Sequence, residues 1–146
     1  MAQIVVGQTV GVTGSAAITV KESMQGASLY LDFVNAQGGV GGQKIELVVL
    51  DDKFDTKLTL ENARTLIEKH GAIALFMTRG TPHTQGIVPL LDEAGVVLVG
   101  PSTGAMALHK PVSRHVFNVR APYQLEVEKA ITHLNTLGVQ RIGVIH

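Results

Sequence analysis

With 146 residues and no cysteine, the chain has the length of one domain, enough to bury about two-thirds of its unfolded surface, and it lacks the thiols for disulfides or cysteine-based zinc and redox sites. Lysine plus arginine and aspartate plus glutamate stand at 12 each, a balance that gives nucleic acid and anionic membrane surfaces little to hold. Hydrophobic residues make up 45% of the chain, yet no uninterrupted apolar run approaches the roughly 20 residues that a membrane span requires.

From the amino terminus, Met1-Ala2-Gln3 leads straight into Ile4-Val5-Val6. With no charged segment, apolar region or cleavage site, this start reads as that of a cytoplasmic chain, or of an exported one whose signal peptide is replaced by a start codon. Ile4 to Val10 is the first of five short runs rich in Val, Ile and Leu, the others being Lys44 to Leu50, Ala72 to Met77, Val96 to Gly100 and Val116 to Val119. Runs of this length and composition predict buried parallel strands. Helical spacing of three and four separates them: Met24, Ala27, Leu31 and Val34, then Leu60, Ala63 and Ile67, then Ile87, Leu90, Leu91 and Ala94. Asn35 to Gly39 closes the first helix with glycines, and Gly41-Gly42 turns the chain into the second strand. Asp55-Thr56 and Thr81-Pro82 read as helix starts, the latter with a hydroxyl at the N-cap and proline at the first helical position. The alternation predicts an α/β fold of three layers with right-handed crossovers.

Two of the strand ends carry the chemistry. Thr78-Arg79-Gly80-Thr81-Pro82-His83-Thr84 follows the third strand, and Gly100-Pro101-Ser102-Thr103-Gly104 follows the fourth. In an open parallel sheet, ligands bind outside the carboxyl ends of the strands, where the strand order reverses. A helix start there offers unpaired N–H groups and roughly half a positive charge, which suits a carboxylate. Thr81 with the N–H groups around His83 and Thr84 forms one expected wall, and Ser102 with Thr103 the other. Arg79 could add a bidentate partner for a second carboxylate or an aromatic acid. The competing reading is that Thr81 and Ser102 only cap helices and that Arg79 is solvated.

Other chemistry is weakly supported. Gly100 to Gly104 matches G-x-S-x-G, the pattern of a hydrolase nucleophile elbow, with Glu126, Glu128, His133 and His146 downstream, but no oxyanion segment precedes Ser102. Gly7, Gly11 and Gly14 have the wrong spacing for a dinucleotide fingerprint, and Asp51 and Asp52 lie about twice too far along. The glycines at 38–42 lack the Lys-Ser/Thr of a phosphate loop. The six histidines form no ligand-spaced cluster, so neither a metal nor a cofactor is expected.

An ordered set of residues points further. Gly26-Ala27, the stretch Asn35 to Leu47, Asp51-Asp52, Asp92-Glu93-Ala94-Gly95-Val96 and Gly100-Pro101-Ser102-Thr103 together resemble the first lobe of type I periplasmic solute-binding proteins. The similarity is greatest to the branch that feeds branched-chain amino acids and amides to ABC importers. The resemblance implies a doubly wound sheet of order 2-1-3-4-5, a non-catalytic binder of a small amino acid, amide or carboxylate, a membrane permease as partner, and a periplasmic location. It also implies that Thr81, Ser102 and Thr103 grip the carboxylate and amino group of the ligand and that Thr13-Gly14-Ser15 lines the cleft mouth. In that family two lobes close on the ligand and the chain crosses between them three times. Phe117 to Pro122 looks like the first crossing, so residues 1–120 read as the binding lobe, and residues 121–146 as the crossing with the first helix (Tyr123 to Leu137) and strand (Arg141 to His146) of a truncated second lobe. Their uncovered apolar faces predict a homodimer through residues 123–146. Departures bear on the ligand: Ala16-Ala17 stands where branched-chain binders carry an aromatic, Gly104 where they often carry a hydroxyl, and Arg79 and His83 where small hydroxyl residues are usual. A ligand-sensing domain of a receptor or regulator shares the fold and is the alternative; a serine hydrolase through Ser102 is the enzyme alternative.

Overall fold

A computed structural model of the chain describes residues 3–145. Strands β1 (Ile4–Val10), β2 (Ile45–Asp51), β3 (Ala74–Phe76), β4 (Val97–Val99) and β5 (Val116–Phe117) form one parallel sheet in the order β2-β1-β3-β4-β5. Helices α1 (Ala17–Ala36), α2 (Thr56–Glu68) and α3 (Thr81–Ala94) fall where the apolar spacing puts them, and α4 (Tyr123–Thr136) falls on the stretch expected as a helix from the resemblance. The fold class and strand order match the expectation, although β3, β4 and β5 are shorter than their apolar runs. Met77, at φ 49°, bends the chain out of β3.

The main core lies on one face, where α2 and α3 press Ala63, Leu66, Ile87, Leu90 and Leu91 onto Leu75, Leu98 and Val116. Because β1 connects to β2 in one direction and the later crossovers run in the other, right-handedness sends α1 to the opposite face by itself. There α1 buries Val20 beside Val10 and Ala16, with Met24 and Val49 packed against them. It leaves β3 to β5 poorly covered: Val99 is 37% and Phe117 54% exposed, and Val6, Leu31, Ala74, Phe76 and Val99 line a cavity of about 200 Å³.

The carboxyl-terminal segment behaves differently from expectation in one respect. Helix α4 forms, with no residue of it buried. Residues 141–145, expected to be a strand, make no strand pairing, because a strand requires a neighbour to share its backbone hydrogen bonds; His146 lies outside the described residues.

Candidate functional site

The loops that follow β1, β2, β3 and β4 meet at the carboxyl edge of the sheet, and the side chains at the end of β2 hold two of them in place. Asp51 accepts hydrogen bonds from Thr13 Oγ1 (2.6 Å), Thr13 N (3.1 Å) and Lys53 N (2.9 Å). Burial pushes its carboxyl up, but these hydrogen bonds outweigh it and hold Asp51 below the ordinary carboxylate value of 3.8. Asp52, 1% exposed, accepts from Thr9 Oγ1, Thr59 Oγ1 and the Phe54 N–H. Thr13, on the loop after β1, therefore has its hydroxyl committed to Asp51. The acid pair is structural, and Asp55 caps α2 by accepting from Lys57 N and Leu58 N.

After β3 the expected helix start moves by one residue. Gly80, at φ 90°, is the N-cap of α3, Thr81 is its first residue and Pro82 its second. Thr81 makes no cap hydrogen bond; its Oγ1 bonds Thr103 Oγ1 at 2.7 Å instead. The Thr84 N–H already donates to Gly80 O, and the Thr84 hydroxyl bonds that of Thr78. Since Pro82 has no N–H, the donors left open in the first turn are those of Thr81 and His83. The His83 ring does not reach the crevice. It is 5% exposed and stacked on Phe54 at 4.3 Å, tucked so closely behind Gly80 that a Cβ there would lie 2.6 Å from Nδ1. Neither ring nitrogen has a hydrogen-bond partner.

The second junction is not a helix start. Ser102 pairs with Arg79 as an isolated parallel bridge, its N–H donating to Thr78 O at 2.7 Å, and only a 3-10 turn (Met106–Leu108) follows. The chain thus continues as an extension of the sheet and offers no helix N-terminus. The strand-turn-helix context of a nucleophile elbow is absent for the same reason. Of the acid and base candidates for that reading, Glu126 is engaged by Arg120 through two hydrogen bonds (2.6 and 2.7 Å), and His133 lies on α4.

Thr103, fully buried, is the centre of the site. Besides Thr81, its Oγ1 bonds the Tyr123 hydroxyl at 3.1 Å and accepts from Ala105 N. The hydrogen bond with Thr103 holds the Tyr123 phenol below its ordinary value, against the opposing effect of burial. Tyr123 N donates to Gly104 O, and the Arg120 guanidinium lies 4.9 Å from the centre of the Tyr123 ring. A side chain on Gly104 would meet Ala121 O at 2.6 Å and Tyr123 N at 3.0 Å. Glycine therefore stands here because the backbone of Ala121 to Tyr123 occupies the space a side chain would need.

Of the six expected site residues, the fold joins Thr81 to Thr103 and Arg79 to Ser102, ties Thr13 to Asp51, and buries His83 against Phe54. Sequence reasoning missed Asp51 and Tyr123. The first could have been read from an acid at a strand end across from a threonine loop; an aromatic just after Ala121-Pro122 gives no comparable signal. Among the described residues no three His, Asp or Glu side chains gather as metal ligands, and no helix is long and apolar enough to cross a membrane.

The family model described as "Periplasmic binding protein" matches residues 3–146. An amino acid binding protein of Pseudomonas aeruginosa is 29% identical over all of this chain and 39% of its own length. The crystal structure of a substrate-binding periplasmic protein from Ralstonia solanacearum superposes with a TM-score of 0.87 at 38% identity, over 97% of this chain and 40% of that one. LivJ, the branched-chain amino acid transporter substrate-binding protein of Streptococcus pneumoniae solved with isoleucine, gives 0.77 at 27% identity, over 83% and 34%. The chain spans about 40% of the length of the first two of these relatives.

Proposed function

Because this chain belongs to the periplasmic binding protein family, we propose that it is the first lobe of an extracytoplasmic solute receptor serving an ABC importer. On this reading residues 1–120 are the lobe and residues 121–146 are the crossing into a second one. The lobe holds a small amino acid, amide or organic acid without chemical conversion, acts in the periplasm, and hands its ligand to a membrane permease. The observation that carries the reading is the convergence at one sheet edge, beside the reversal of strand order, of the joined hydroxyls of Thr81 and Thr103 with the bridged pair Arg79 and Ser102. Open N–H groups of the first turn of α3 lie next to them, and such an edge is where α/β sheets bind small polar ligands.

A half-site binds weakly, since the second jaw supplies contacts and water exclusion that one lobe lacks. Titration of the isotope-labelled chain with amino acids, amides and organic acids is expected to shift amide resonances of residues 12–15, 77–84 and 100–104, with affinities no tighter than about millimolar. Micromolar binding by this chain would overturn the half-site reading. Labelling of Ser102 by a serine-reactive phosphonate would overturn the absence of catalysis.

A further inference from the structure

We propose that Thr103 does not meet the solute: it is a positioning residue that holds two hydroxyls at the sheet edge, and Tyr123 joins Thr81 as a residue the solute touches. This rests on the solute-receptor reading above and departs from the grip on the ligand that the resemblance implies for Thr103. A threonine hydroxyl has one proton and two lone pairs. Around Thr103 Oγ1 stand three partners: Thr81 Oγ1 at 2.7 Å, Tyr123 Oη at 3.1 Å and the Ala105 N–H at 3.3 Å. The Ala105 N–H fills one lone pair. Of the two hydroxyls, one gives its proton to Thr103 and the other takes the proton of Thr103. No valence is left over, and Thr103 is 0% exposed, so it has neither a free bond nor an open face to offer a ligand.

The two outer hydroxyls differ on both points. Thr81 is half-buried and Tyr123 is 40% exposed. Each shares one hydrogen bond with Thr103 and has valence to spare: the one that accepts from Thr103 still carries its own proton, and the one that donates to it still has lone pairs. Tyr123 is also fixed from several sides. Its N–H donates to Gly104 O, a Cβ on Gly104 would lie 2.9 Å from its ring, and the Arg120 guanidinium stands 4.9 Å from the ring centre. A phenol held in this way loses little freedom when a solute arrives, which favours its use as a contact. The hydrogen bond with Thr103 keeps that phenol below its ordinary value, so the hold of Thr103 on Tyr123 has a readout that needs no solute.

The test follows tyrosine Cζ by carbon-13 NMR in the labelled chain, whose only other tyrosine is Tyr30. Without solute, Thr103→Val is expected to raise the titration midpoint of Tyr123 toward the ordinary phenol value of 10.0 and to leave that of Tyr30 in place, while Thr103→Ser keeps the parent midpoint; circular dichroism confirms that each variant folds. Acetate and L-alanine then serve as probes. The Thr81 amide and Tyr123 Cζ are expected to shift, the Thr103 hydroxyl proton to stay protected from exchange at saturation, and Tyr123→Phe to weaken binding about tenfold, the worth of one hydrogen bond to a charged group. A Tyr123 midpoint indifferent to Thr103→Val, or probe binding unaltered by Tyr123→Phe, overturns the proposal and leaves the solute-receptor reading standing. Should Thr103→Val not fold, Tyr123→Phe alone decides. If neither probe moves a resonance at this edge, the solute-receptor reading falls and the contact with Tyr123 falls with it.

Discussion

Asp51 holds a loop by three hydrogen bonds that are strongest when it is ionised. Its folded-state pKa lies below the ordinary 3.8, so its contribution is fully present above that ordinary value and is lost as pH falls through the lower, folded one. Amide exchange at residues 12–15 is therefore expected to accelerate below about pH 4, and Asp51→Asn to flatten that dependence; an unchanged acid limb in the variant would assign the effect to another group. Gly104 makes a steric prediction. Serine there must displace Ala121 O or Tyr123 N from contacts of 2.6 and 3.0 Å, so Gly104→Ser is expected to lower stability by about 1–3 kcal/mol. A thermal melt within a degree of the parent would show that the backbone of residues 121–123 yields freely. At this scale residue type alone was ambiguous: a threonine beside a proline at a helix start has the signature of a cap, yet Thr81 spends its hydroxyl on Thr103, a partner 22 positions away.

Elements were far more legible. The helices α1 to α3 and the long strands β1 and β2 announce themselves through period and composition, because burial on one or both faces dictates which residues can stand there. The second junction was not legible. Nothing local in Pro101-Ser102-Thr103 forbids a helix; the parallel bridge to Arg79 and the contact of Gly104 with Ala121 and Tyr123 decide against it, and both are tertiary. The same holds for the segment 141–145, whose apolar pattern suits a strand that has no sheet to join. For α4 the expectation is that its first turn is the only part tied down. Tyr123→Phe removes the hydroxyl bond to Thr103 and is expected to cost about 1 kcal/mol, seen as faster hydrogen exchange at the base of α4 with β1 to β4 unaffected. Equal protection in both proteins would mean that the Arg120–Glu126 pair suffices.

At the scale of the whole molecule, apolar surface is left open on the face of β3 to β5 beside α1, with Phe117 and Val99, on α1 at Leu29, Tyr30 and Phe33, and on the side of α4 bearing Val127 and Ile131, 60% and 40% exposed. Exposed apolar area of this kind promotes association. The chain is expected to dimerise with rising concentration in analytical ultracentrifugation, and removal of residues 123–146 to leave a folded, largely monomeric lobe. A monomer throughout the accessible range would sink that expectation. The bond between Thr103 and Tyr123 has a mechanical side. Helix α4 has 14 residues and is about 21 Å long at 1.5 Å per residue, and its first residue carries the ring whose hydroxyl bonds Thr103. A change of about 10° in the angle at that end would carry the far end of α4 through about 4 Å. The angle at which one phenol meets one threonine thus sets where the whole helix points.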